Sequence, residues 1–378
     1  MLLLKGSASE EVKEELEYDD ESDDENLESK EIPKEVRILR TQSYDKAVID
    51  LVEMMRKKDI ILDPDYQRNY IWDNKRASLL IESILLNVPI PVIYVAEDEE
   101  NRWVVVDGLQ RLYSILRFFN NEFKLSGLEI LSDLQRSQYS KLNPKALRIL
   151  NNGIFRVIVI KEESNQEIKY DIFQRLNRGS VKLNEQELRN CIYRGPLSNL
   201  LKELCEYPSF LKAIGLKRPD KRFFDSELIL RFLALNSCYD PNTGKVNRYP
   251  NRMKTFLNDY MRENRKINSK DSEQIRIMFK STIDKVISVF DTPSFRRFKA
   301  EDGTYDTRLN RALMDVIMVS FSKLSSEFLN EHRNQITELL KSKITSDTSF
   351  NEALIYGTSD TRKLEYRLNS WNKSISLL

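Results

Sequence analysis

Asp107, Gly108, Gln110 and Arg111 form the segment of this chain best suited to chemistry. They follow the apolar run Trp103-Val104-Val105-Val106 and precede a helical apolar stripe, so they stand at a strand-to-helix junction. The first amides of a helix lack intrahelical acceptors, and the helix dipole favours negative charge beside them. Asp107 is expected to cap the helix, Gly108 to let a ligand approach the backbone, and Gln110 and Arg111 to add donors in the first turn. Such a junction suits the holding of a phosphate. Two further polar groups break apolar patterns: Tyr66-Gln67-Arg68 with Tyr70 and Trp72, and the stretch from Phe173 through Arg175, Asn177 and Arg178 to Gly179. Each group alone has a plain structural reading as a helix cap, a surface loop or a polar turn.

The elements that must position these groups are legible from periodicity. A helix is expected after Ser43, burying Val48, Leu51, Val52 and Met55 at i, i+3, i+4 and i+7. An extended segment, 60–62, leads to Pro64, which disfavours helix. Asp73 is the expected cap of the next helix, with a stripe of Ala77, Leu80, Ile81, Ile84 and Leu85 that Pro89 and Pro91 close off. Strands at 92–95 and 103–106, joined by a turn at 97–101, have hairpin spacing. The helix after Asp107 buries Leu112, Ile115, Leu116 and Phe119, leaving Gln110 opposite the stripe and Arg111 on its flank. A third strand, Ile154–Ile160, follows a loop-rich insertion. A helix Gln166–Leu176 carries Ile168, Ile172 and Phe173, and Asn184 with Glu187 predicts a capping box. Beyond residue 195 the periodicity is helical, interrupted by turn-rich loops at 240–251 and 302–307. The fold class read from this order is α+β. An acidic tail, 1–36, is expected to be unstructured; an α+β domain with a small mixed sheet fills 37–195, and an all-helical domain fills 196–378.

With 378 residues and 40% hydrophobic content, the chain can bury the cores of two domains. Its formal charge of +1 conceals an asymmetry. Residues 1–31 hold thirteen acidic residues against three lysines, so the remainder is net +11. A basic body with an acidic tail suits a polyanionic partner such as DNA, with the tail competing for the same surface; a solubilising tail is the plainer reading. Cys191, Cys205 and Cys238 are odd in number and show no CxxC spacing, so reduced, buried thiols are expected. His332 is the only histidine and is read as a surface residue. A nuclease that needs a histidine base beside its metal, a histidine-rich zinc site and a Ser-His-Asp triad are therefore not expected in this sequence. No apolar run reaches membrane-spanning length and the opening Met1-Leu2-Leu3-Leu4-Lys5 is too short for a signal peptide, so the protein is expected to be cytoplasmic, with no membrane partner.

Taken in order, P-x-Y-Q-R-x-Y-x-W, V-D-G-x-Q-R-L, F-x-R-L-N-x-G and K-L-N-E-Q-E-L-R resemble the domain at the N-terminus of GmrSD-type modification-dependent restriction endonucleases, from about residue 44 onwards. The resemblance implies a ParB/sulfiredoxin-like core. It also implies that the D-G-Q-Q-R motif serves nucleoside triphosphate binding and hydrolysis, in anti-phage defence by restriction of modified DNA. Asp107, Gly108, Gln110 and Arg111 match that motif, with Asp107, Gln110 and Arg111 the candidate catalytic residues, whereas Leu109 stands where the family usually has Gln. That departure bears on hydrolysis or on the choice of nucleotide. Ser180 likewise replaces a second glycine after L-N-x-G.

On this reading Arg111 and Arg68 offer paired donors to phosphate oxygens, and Gln67 and Gln110 orient a water or a base edge. Gly108 admits the phosphate, and Arg175, Asn177, Arg178 and Gly179 close the pocket from the far side. Asp107 is the candidate Mg²⁺ ligand, because such sites commonly combine one carboxylate with substrate phosphates. Tyr66, Tyr70 and Trp72 supply packing or base-stacking surfaces, with packing favoured for Trp72. Many relatives append an HNH-type nuclease; none is visible here, so cutting would need a partner chain, such as a nuclease subunit, or an unrecognised site.

Three functions compete: a nucleotide-hydrolysing component of a restriction system, a non-catalytic nucleotide- or DNA-binding module that recruits a nuclease, and a stand-alone metal-dependent nuclease. The last ranks lowest for want of a carboxylate-carboxylate-lysine spacing. Weaker phosphate-tolerant groups are the turn from Thr358 to Lys363 with Arg367, the stretch 217–222, and Arg296-Arg297 with Lys299.

Overall fold

The computed structural model describes residues 39–62, 72–176, 184–290 and 294–378. The expectation for the tail at 1–36 therefore concerns residues outside those described. The chain divides into two compact units, one ending at Ile192 and one running Tyr193–Leu378.

The first unit is α+β. Its elements are β1 (Thr41–Ala47), α1 (Val48–Arg56), β2 (Ile60–Ile61), α2 (Asn74–Leu85), β3 (Ile93–Glu97), β4 (Trp103–Asp107), α3 (Leu109–Phe119), α4 (Pro144–Asn152), β5 (Ile154–Ile160), α5 (Gln166–Leu176) and α6 (Glu185–Ile192). The strands form one mixed sheet in the order β1-β5-β3-β4-β2. β3 and β4 pair antiparallel as the expected hairpin, while β3 with β5 and β2 with β4 pair parallel. Alternate strand residues, among them Ile93, Val95, Val105, Phe155, Val157 and Val159, turn to one core. Leu51 and Val52 of α1, Ile81 and Ile84 of α2, Leu112 and Ile115 of α3 and Leu150 of α4 complete it. Each such side chain contributes about 1.5–3 kcal/mol by leaving water.

The helix starts follow local chemistry. Asp73 accepts the Arg76 amide at 2.7 Å and caps α2. Asn184 and Glu187 exchange side-chain-to-amide hydrogen bonds of 2.8 and 2.5 Å, the reciprocal capping box. The insertion before α4 is tied down by one buried carboxylate. Glu82 of α2 accepts the amides of Glu129, Ile130 and Leu131 at 3.0, 2.8 and 2.7 Å. Burial alone would raise its pKa, but these three donors outweigh burial and hold it below the usual carboxylate value.

Several expectations change. Residues 41–47 are a strand, paired antiparallel with β5 from Thr41↔Ile160 to Ala47↔Ile154, so the helix begins at Val48 rather than just after Ser43. The second unit is predominantly rather than entirely helical. It contains α7 (Pro196–Cys205), α8 (Pro208–Ile214), α9 (Phe224–Cys238), α10 (Met253–Glu263) and α11 (Ser269–Val289). These are followed by α12 (Arg311–Phe321), α13 (Ser326–Glu331), α14 (Arg333–Ser346), α15 (Thr348–Ile355) and α16 (Thr361–Ile375). Between α9 and α10 the turn-rich loop folds into a short antiparallel ladder, β6 (Tyr239–Asp240) with β7 (Lys245–Val246). His332 is half-buried rather than a surface residue: it joins α13 to α14 with its ring stacked 4.5 Å from that of Phe328. Cys191 and Cys205 are buried free thiols and Cys238 is partly exposed. No helix among the described residues is long and apolar enough to cross a membrane.

Candidate functional site

β4 ends at Asp107, and the chain turns into α3 through Gly108, which caps the helix with φ of 104°. That backbone conformation is strained for any residue bearing a Cβ. A Cβ at Gly108 would also stand 3.0 Å from Cγ1 of Ile93. The glycine thus serves the packing of the turn onto β3, a role the sequence reading had given to an approaching ligand.

Asp107 is not the cap. Its Oδ2 accepts a 2.7 Å hydrogen bond from Nη2 of Arg111, one turn into α3. The Arg111 guanidinium also donates to the carbonyls of Pro91 and Val92 in the segment leading to β3. The arginine side chain is 11% exposed and the aspartate 46%. Burial lowers the Arg111 pKa, and the charge and hydrogen bond of Asp107 oppose that shift. A guanidinium remains charged regardless. Arg111 is therefore a fixed cation clamped between a carboxylate and two carbonyls, and Asp107 keeps one oxygen with no hydrogen-bond partner among the described residues.

Gln110 lies off the apolar stripe as expected, and its Oε1 accepts the Trp72 amide at 3.3 Å. The end of the first polar group thus meets the second. Trp72 is partly buried against the core, with the Arg76 guanidinium 5.8 Å from its ring centre, which is the packing role. Gln67, Arg68, Tyr66 and Tyr70 lie outside the described residues, as do Asn177, Arg178, Gly179 and Ser180. Phe173 is buried in α5, while Arg175 is exposed near the end of that helix. Leu109, at the departure from the D-G-Q-Q-R pattern, is buried in the core. Among the described residues no three His, Cys, Asp or Glu side chains gather as metal ligands. A divalent ion here would rest on Asp107, with ligand oxygens and water completing its shell, which is a common Mg²⁺ arrangement.

Several members of the weaker basic groups have structural partners. Asp360 caps α16 through the Lys363 amide. Arg367 is buried and bonds the Thr358 carbonyl and Asp315. Arg297 and Lys299 both face Asp306. In the stretch 217–222, Asp220 is buried and accepts the Arg222 amide at 2.7 Å. Sequence reasoning missed three buried charges of the second unit: Asp225, Arg231 and Asp315. A charged residue in the midst of an apolar helix, as Arg231 is within Leu228-Ile229-Leu230-Arg231-Phe232-Leu233, was the available signal.

An α+β unit built on a mixed sheet, with an Asp–Arg pair across a glycine turn, is thus the class of protein that the first unit defines. Residues 48–194 match the family model described as the N-terminal domain of GmrSD restriction endonucleases, and that stretch contains the whole junction. The chain matches no curated protein and no solved structure.

Proposed function

We propose that the first unit is the nucleotide-responsive part of a restriction-type, anti-phage system, binding the phosphates of a nucleoside triphosphate at the start of α3. The observation that carries this reading is the Asp107–Arg111 pair at the left-handed glycine turn. A half-exposed carboxylate with an uncommitted oxygen sits beside a fixed cation and the positive end of a helix dipole. The family description supports a restriction-type system, and the junction supports phosphate chemistry.

In this reading Asp107 would hold Mg²⁺, which would offset negative charge on the phosphates. Arg111, braced by the Pro91 and Val92 carbonyls, holds the Asp107 carboxylate in place and presents positive charge to the phosphates. Gln110 orients the attacking water. Water adds to the terminal phosphorus, the bridging P–O bond breaks, and nucleoside diphosphate and inorganic phosphate leave. Gln67, Arg68, Gly108, Arg175, Asn177, Arg178 and Gly179 remain the proposed phosphate-binding residues. DNA and a nuclease subunit are the proposed partners, in the cytoplasm.

The burial of Leu109 favours a second reading. A side chain sunk in the core cannot reach a nucleotide, so a module that binds without turnover would keep the junction and lose the chemistry. Phosphate release from the purified chain with each of the four nucleoside triphosphates and Mg²⁺ decides between them. The enzyme reading expects turnover that Asp107→Ala and Arg111→Ala each abolish. Binding without turnover selects the module. Full binding and turnover in Arg111→Ala would dismiss both.

A further inference from the structure

The second unit contains a cavity of 430 Å³ that the reading above does not use. Its floor is apolar, from Phe290, Leu340 and Ile344. One wall is the aromatic pair Phe298 and Tyr305, whose rings meet edge-to-face at 5.4 Å and whose backbones are joined by an isolated β-bridge. Three cations line it, Arg296, Arg333 and Lys341, against one carboxylate, Glu338. Glu338 is already paired with Lys341 at 2.8 Å.

Arg296 is the unusual member. Its guanidinium reaches only two carbonyls, of Thr307 at 3.3 Å and Ile214 at 3.4 Å, and it pairs with no carboxylate among the described residues. It is half-buried, and burial lowers its pKa with no anion to oppose the shift. A cation held this way gains most from an anion supplied by a ligand. The first turn of α14, through Arg333 and Asn334, also lines the cavity, and no side chain caps that helix. Its dipole adds to the same preference.

We infer that this cavity binds a small organic phosphate carrying an aromatic or heteroaromatic ring, with the ring against Phe298 and Tyr305 and the phosphate at Arg296. The volume suits a ligand of nucleotide size. The lining's formal charge of +2 matches a phosphate monoester, which is close to a dianion at neutral pH. An apolar floor and an aromatic wall favour a ring over a bare inorganic anion. The site is independent of the junction at Asp107 and lies in the other unit.

Isothermal titration calorimetry on the full chain tests this with adenosine 5′-monophosphate and phenyl phosphate as probes, and adenosine and inorganic phosphate as their separate halves. At least one ring-bearing phosphate is expected to bind, at least about tenfold tighter than either half. Arg296→Met and Tyr305→Ala are each expected to weaken it by about tenfold or more, the scale of one lost charge-assisted bond or ring contact. Arg111→Ala should leave it unchanged, which separates this site from the proposed nucleotide site. Because Arg296 also braces two carbonyls, Lys341→Met, which removes a second cation of the lining, repeats the test. Absence of saturable binding by both probes overturns the inference. So does binding that survives all three cavity substitutions, or that is lost with Arg111→Ala alone.

Discussion

Replacing Asp315 should unfold the second unit far more readily than its single carboxylate suggests. Asp315 of α12 lies between two arginines, and all three side chains are buried. Arg231 of α9 grips it with a fork, Nε at 3.2 Å and Nη2 at 2.7 Å, and Arg367 of α16 adds Nη2 at 3.2 Å. Three helices therefore converge on one anion, and the cluster already carries an excess positive charge. Asp315→Leu leaves two guanidiniums with their counterion removed and little water to replace it. Breaking a single buried pair costs about 3–5 kcal/mol, and for a carboxylate shared by two buried arginines the upper end, about 5 kcal/mol, is expected. For a unit of this size a kilocalorie per mole moves the melting temperature by roughly 2–4 °C, so a fall of about 10–20 °C follows. Thermal melts of wild type and variant, followed by far-ultraviolet circular dichroism, measure it. The companion variant Arg231→Met, Asp315→Leu, Arg367→Met removes all three charges at similar volume, and should recover most of the loss. A drop of less than about 3 °C in Asp315→Leu, or a triple variant worse than the single, would refute the view that the carboxylate is there to neutralise the arginines.

Two further outcomes follow from residues at the ends of elements. Asp225, buried at the start of α9 beside Asp220, has its pKa raised from 3.8 to about 6 by burial, against amide hydrogen bonds from Asp220 and Ser226. The folded state holds this proton more tightly than the unfolded chain, so the group's contribution is most favourable below about pH 4 and declines as pH rises to about 6, by roughly 3 kcal/mol in all. Urea midpoints taken across that window should show wild type losing stability relative to Asp225→Asn as pH rises; a difference that is flat or of opposite slope would contradict the assignment. Gly108→Ala should cost about 1–3 kcal/mol from the strained backbone, with the contact to Ile93 adding to it. Gly303→Ala, also at positive φ but with open space around its Cβ, serves as comparison, and equal urea midpoints for the two would show that the packing against Ile93 carries no weight.

What the sequence determined by itself is what neighbours within a few residues can settle. Asp73 and the Asn184–Glu187 box mark helix starts because a side chain reaches an amide three residues on, whatever the rest of the chain does. The strand Ile154–Ile160 and the helix Gln166–Leu176 were legible at their bounds from apolar runs and spacing. The glycine between Asp107 and α3 likewise announced a junction. The partners across that junction were not legible. Whether Asp107 turns to an amide or to Arg111 depends on where the Pro91 and Val92 carbonyls lie, and β3 places those only once the sheet has formed.

The same reason hides β1. Thr41-Gln42-Ser43-Tyr44-Asp45-Lys46-Ala47 has no apolar alternation of its own, and it becomes a strand because β5, more than a hundred residues later, offers it an edge. Arg231, Asp315 and Arg367 lie far apart in the sequence, on three different helices. Only the packing of α9, α12 and α16 brings them together, since a buried charge is tolerable only where other segments deliver its partners.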